Sequence, residues 1–139
     1  MSLRPILAPL ALLAVAACAQ TPQQRLAAEH AQAVAAENLE QALAGLTPHP
    51  TTTCLPRLPT QQVKSYGPTL VYTVGRNLKY RSDTAGGCEG QARGDVLITR
   101  SNTGQLCQGD IATTVDPVSR TFTGSCSFGP FIRYDKAAR

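Results

Sequence analysis

The chain predicts a mainly β fold: a small antiparallel barrel or two-layer sandwich of about six short strands, preceded by one alanine-rich N-terminal helix. Three observations carry that expectation. From Gln61 onward, apolar and polar residues alternate in short runs broken by turn residues, the pattern of half-buried strands. Upstream, residues 21–45 are dominated by alanine and carry a helix signal at each end. Cys54, Cys88, Cys107 and Cys126 frame the alternating part, and a domain with so small a core benefits from covalent staples.

The helix is written locally. Thr21-Pro22-Gln23-Gln24 fits a capping box, with Thr21 at the N-cap, Pro22 at the first helical position and Gln24 reaching back. Gly45 suits a left-handed C-terminal cap, and Pro48 and Pro50 forbid continuation. Ala28, Ala31, Ala35, Leu39, Ala42 and Leu46 fall on one thin apolar face, with Glu29, His30, Glu37 and Glu40 near the other. About 23 residues at 1.5 Å each span roughly 34 Å, the reach of a spacer. His49 then lies between two prolines in a stretch that reads as linker through Thr53. Neither His30 nor His49 is given a role.

Expected strands are Gln61–Tyr66, Thr69–Val74, Asn77–Ser82, Asp95–Ser101, Gln105–Val115 and Arg120–Phe128. Gly67-Pro68, Gly75-Arg76, Asn102-Thr103-Gly104 and Asp116-Pro117 supply the turns. Leu70, Tyr72 and Val74 share one face; Leu78 and Tyr80 oppose Lys79 and Arg81; Phe122, Cys126 and Phe128 share a face. One apolar and one wet side suits an antiparallel meander.

The first seventeen residues read as an export signal. Arg4 precedes an apolar run from Ile6 to Ala17 that Pro9 interrupts and that is too short for a membrane span of about 20 residues. Val15-Ala16-Ala17-Cys18 resembles a bacterial lipobox. The resemblance implies cleavage before Cys18 and acylation of Cys18, and Ala19 beside it implies export onward to the outer membrane; the alternatives are a plain secretory signal cut at Ala14-Val15-Ala16 or Ala17-Cys18-Ala19, or an uncleaved anchor. The domain division expected is 1–17 signal, 18–53 helical tether and linker, and 54–139 stapled β domain. The expected place is the bacterial cell envelope, held at the outer membrane and facing the periplasm.

In that oxidising compartment four remaining cysteines read as two disulfides. No pair has Cys-x-x-Cys spacing and both histidines lie upstream of Cys54, so no metal or cofactor site is expected. Strand direction favours Cys54–Cys126 with Cys88–Cys107; the alternative is Cys107–Cys126 with Cys54–Cys88. From Cys54 onward eleven bases face six acids. That excess suits anionic lipid or polysaccharide, or is simply a solvated surface. No basic run or aromatic-studded motif points to nucleic acid.

The order Cys54-Leu55, Gly87-Cys88-Glu89-Gly90, Leu106-Cys107-Gln108-Gly109-Asp110 and Ser125-Cys126-Ser127-Phe128-Gly129-Pro130-Phe131 resembles a family of small bacterial envelope proteins classed only as a domain of unknown function. The likeness spans about residues 54–131, and departs where that family favours Cys-Pro-Gly-Leu and this chain has Cys88-Glu89-Gly90-Gln91. It implies no activity and no site residues.

Three functional readings remain. The first is a non-catalytic module that binds an envelope component or is structural, with Tyr72, Lys79, Tyr80 and Arg81 as a binding surface. The second is an inhibitor of a wall-degrading or other periplasmic hydrolase, acting through a loop such as Asp83–Gly90. The third is an enzyme using Asp110, which otherwise completes a turn. The domain has no histidine and no free cysteine once both bridges form, so a Ser–His or Cys–His pair is not available.

Overall fold

The computed structural model describes residues 21–57 and 62–137; the acylation site expected at Cys18 lies outside them. Helix α1 (Pro22–Leu43) is followed by seven strands: β1 (Thr47–Thr52), β2 (Gln62–Tyr66), β3 (Thr69–Gly75), β4 (Leu78–Gly86), β5 (Val96–Arg100), β6 (Ile111–Val115) and β7 (Phe122–Asp135). A 3-10 helix, Glu89–Arg93, joins β4 to β5. The strands form one curled antiparallel half-barrel in the order β2-β3-β4-β7-β6-β5. Both the β class and the N-terminal helix agree with the sequence.

The helix starts as its sequence dictates. The Gln24 amide donates to Thr21 Oγ1 (3.3 Å) and the Thr21 amide donates to Gln24 Oε1 (3.0 Å), which satisfies two of the N–H groups a helix start leaves orphaned. Gly45, at φ +74°, ends it. Residues 21–34 are exposed on every side, whereas Ala35, Leu39, Ala42, Leu43 and Leu46 are covered to differing degrees. The helix thus docks by its C-terminal half only, against the outer face of the sheet. The Lys79 ammonium donates to the Ala42 carbonyl, placing a cation at the negative end of a helix that has no base in its last turn.

Strand β7 organises the sheet. Its first half pairs with β6 and its second half with β1 on the same flank, while β4 holds the other flank from Gly86↔Cys126 to Leu78↔Asp135. Residues 47–52, expected as linker, are therefore a strand. Pro48 and Pro50 are tolerated because β1 has β7 as its one partner, and the register slips between Pro48 and Thr51.

Two bulges in β7 decide which aromatics are inside. Ser82 faces Phe131 but Thr84 faces Phe128, so one extra residue is accommodated around Gly129-Pro130. A Cβ on Gly129 would strike the Asp83 carbonyl, so only glycine lets the strands approach there. That bulge turns both Phe128 and Phe131 inward, where strict alternation would place them on opposite faces. The second bulge, between Gly124 and Phe122, turns Phe122 outward, against the expectation that it shares a face with Cys126. The core is Leu55, Leu70, Tyr72, Tyr80, Cys88, Ala112, Cys126, Phe128 and Phe131.

The disulfides are Cys54–Cys107 and Cys88–Cys126, a third pairing that neither expected scheme contains. The reason is the return of β7 to β4. Because Gly86 pairs with Cys126, Cys88 two residues on lies beside it. Cys54 follows β1 and Cys107 precedes β6, so their bridge staples the handover from one to the other along β7.

The edge strand β2 is guarded by one side chain. Gln91 Nε2 donates to the Val63 carbonyl (2.7 Å) and Gln91 Oε1 accepts from the Ser65 amide (2.5 Å), imitating a neighbouring strand.

Candidate functional site

The expected binding surface does not form. Tyr72 and Tyr80 face each other across β3 and β4 on the inner side, 3% and 6% exposed, while Lys79 and Arg81 lie on the outer side beneath α1. Alternation along β4 separates the two pairs, so they cannot share one surface. Tyr72 packs its ring against Phe128 and Phe131, with centroids 6.4 Å from each. Its hydroxyl has no hydrogen-bond partner among the described residues, and burial holds the phenol well above its ordinary pKa. Arg81 makes a two-pronged contact to Asp83, Nε to Oδ1 and Nη2 to Oδ2, each 3.0 Å. The Thr69 hydroxyl also donates to Asp83 (2.6 Å).

The other two candidates are absorbed into the fold. Asp83–Gly86 belong to β4 and Glu89-Gly90 open the 3-10 helix, with Cys88 and Gly90 buried, so Asp83–Gly90 is not a free loop. The Asp110 carboxylate accepts from the Cys107 amide (2.8 Å), and the Asp110 amide donates to the Cys107 carbonyl (3.0 Å). It closes a turn in a segment expected as strand. Among the described residues no three His, Cys, Asp or Glu side chains are grouped to hold a metal ion.

Sequence reasoning missed two polar clusters. His49 Nε2 lies 2.7 Å from Asp135 Oδ1, and Arg133 reaches Asp135 Oδ2 at 2.7 Å, tying β1 to the end of β7. Proximity of 49 and 135 follows only from the β1–β7 register. Asp95 is buried and accepts from the Thr123 hydroxyl (2.6 Å), which also lies 3.0 Å from the Thr114 hydroxyl. A Cβ on Gly90 would collide with this carboxylate, so glycine there lets the 3-10 helix seat on β6 and β7.

Three carboxylates are held below the usual aspartate range. At Asp83 burial opposes the shift, but hydrogen bonds from Arg81 and Thr69 together outweigh it. At Asp116 the Ser119 amide and hydroxyl dominate, and at Asp135 the His49 contact does. A folded-state pKa below the unfolded value of about 3.9 stabilises the fold above that pH and loses the contribution as pH falls through the folded pKa. The melting temperature is expected to be level between pH 7 and 5 and to fall below roughly pH 4. Thermal unfolding followed by circular dichroism checks this. A midpoint unchanged at pH 2.5 would rule it out.

Strand direction sorts the connections to two ends. Gly67-Pro68, residues 87–95 and the β6–β7 turn lie at one end; residues 76–77, 101–110 and the α1–β1 link lie at the other. The exposed half of α1 projects past the first end, since Ala35 contacts the turn at Gly67. Shallow grooves of about 250 and 400 Å³ flank the docked half of the helix, one against Lys64–Gly67 and one against Arg81 and Tyr134.

Among the described residues no helix covers the outer face of β5, β6 and the start of β7. Val96, Val115 and Phe122 stand directly opposite one another across the three strands, with Ile98 and Ile111 beside them. Phe122 is 66% exposed, and Val118 on the adjoining turn is 91% exposed. Among the described residues, these with Val96, Ile98 and Ile111 are most of the large apolar side chains left in water; the others, Leu26 and Val34, are on α1. Sequence reasoning read Asp116-Pro117 only as a turn and missed this face. Its one sequence signal is Val118 inside an otherwise polar hairpin.

No family model matches the chain, and comparison with curated proteins and with solved structures finds no match either.

Proposed function

We propose that this chain is a lipid-anchored, non-catalytic module of the bacterial cell envelope, held at the outer membrane through Cys18, facing the periplasm, and binding or bracing another envelope component. The observation that carries the reading is the order of parts. Val15-Ala16-Ala17-Cys18 stands just ahead of a helix capped at Thr21 whose first half is exposed, and a disulfide-stapled half-barrel follows. A free helical half of 13 residues is a spacer of about 20 Å between bilayer and domain. Two disulfides suit an oxidising compartment. No helix among the described residues is long and apolar enough to cross a membrane. A non-catalytic role is supported by the engagement of Asp110 in its turn and by cysteines that are all bridged beyond Cys18.

Labelled palmitate should enter the wild-type protein in growing bacteria and not a Cys18→Ser variant. The variant should leave the membrane fraction. Equal label in both would sink the anchor. Crosslinking in intact cells should then join the protein to a wall, lipopolysaccharide or membrane-protein component.

A further inference from the structure

We propose that the tip of the β6–β7 hairpin, led by Val118 and Phe122 with Val96 behind them, is a second membrane contact that seats in the same bilayer surface as the anchor. The inference rests on the anchored reading above and adds to it how the domain is oriented.

The hairpin turn and the free half of α1 project from the same end of the sheet. Beyond its last pairing with β4, at Cys126, β7 continues four residues to Phe122, about 13 Å, before the turn adds its own length. The helix extends about 20 Å past Ala35. Only Ala19 and Gln20 separate Cys18 from the N-cap, so the bilayer lies where this end points.

The build of the turn suits burial as well. Asp116 Oδ1 accepts from the Val118 amide (2.9 Å), the Ser119 amide (2.7 Å) and the Ser119 hydroxyl (3.0 Å). The Arg120 amide donates to the Asp116 carbonyl (2.9 Å), and the Asp116 amide donates to the Thr121 carbonyl (3.0 Å). These backbone donors are satisfied within the turn, which is what a loop needs before it can leave water cheaply. Arg120 at φ +58° completes the reversal, and Val118 within it is left almost fully exposed.

Charge and area decide the occupant. The charged groups on the connections at this end are Arg93 and Arg120 against Glu89, Asp95 and Asp116, and the projecting half of α1 adds Arg25 and Glu29, a mixture with no excess of bases. The contact is therefore an apolar wedge at the headgroup–acyl boundary rather than an electrostatic one, and needs no anionic lipid. Three strands of five residues offer a face of roughly 14 by 17 Å, about 240 Å². A stable protein interface needs about 800 Å² from each partner, so a second copy is a poor fit.

The chain has no tryptophan, so Val118→Trp makes a single reporter at an exposed site. Arg76→Trp, at the opposite end, is its control. Each lipidated protein is reconstituted in phosphatidylcholine vesicles with or without lipid brominated high on the acyl chain. The expected result is a loss of emission of roughly twofold or more at position 118 and little change at 76, insertion reaching about 5–10 Å. Unquenched emission at 118 in protein that floats with the vesicles overturns the tip contact and leaves the anchor standing. Equal quenching at both positions also overturns it, since the domain then selects no end. Concentration-dependent dimers that shield residue 118 without bromine quenching assign the face to a second copy instead. Failure of the acylated protein to float removes the anchored reading and this inference with it.

Discussion

Replacing Cys88 and Cys126 together by alanine is expected to cost the domain about 4 kcal/mol. The bridge spans 38 residues, and in the chain-entropy model a loop of that size restricts the unfolded chain by roughly this amount. Both cysteines are also buried in the core, so alanine leaves two small voids in addition. A domain of this size is stable by about 5–15 kcal/mol, so the loss is a large share of the whole. The Cys54–Cys107 bridge spans 53 residues and has a similar entropic weight, about 4 kcal/mol, without sitting in the core. Removing the pair as a unit avoids a lone thiol. Urea unfolding of the double variant beside the wild type measures the difference. A cost under about 1 kcal/mol would mean that contacts across β4 and β7 persist in the unfolded chain and that the staple restricts little.

What was legible in the sequence was local. The capping box at Thr21 and Gln24 needs only four residues, and the period-two spacing of Leu70, Tyr72 and Val74 needs only five. The pairing of β7 with β4 joins residues about fifty apart, and no local pattern announces it. Both expected disulfide schemes went wrong on that one point, because Cys88 meets Cys126 only through the Gly86↔Cys126 register. The prolines of β1 hid a strand because they are compatible with an edge, where half of the ladder bonds are not required. Alternation also cannot say which face is inside. Tyr72 and Tyr80 were as good a binding pair as a core pair until the sheet curled around them. The Asp116-Pro117 turn was visible; that its valine stands free was not, since exposure of one side chain depends on what fails to cover it.

Phe131→Ala is expected to destabilise the domain by about 3–5 kcal/mol, and Phe122→Ala by no more than about 0.5 kcal/mol. The two phenylalanines lie on the same strand. Phe131 is fully buried and stacks on Phe128, with centroids 5.8 Å apart, and packs against Tyr72. Its removal costs the transfer energy of a ring and leaves a cavity that the sheet, pinned by a bulge at Gly129-Pro130, cannot close. Phe122 is mostly in water and loses almost nothing on truncation. Chemical denaturation of the two variants gives the comparison directly. Comparable losses would mean that Phe122 is covered in solution, by α1 or by another molecule, and that β7 does not carry the bulge that turns it outward. The expected contrast also separates stability from surface: a side chain that adds nothing to the fold yet stands exposed beside Val96 and Val118 is free to be used for contact. Phe122→Ala then becomes the variant that tests the proposed membrane contact without weakening the domain.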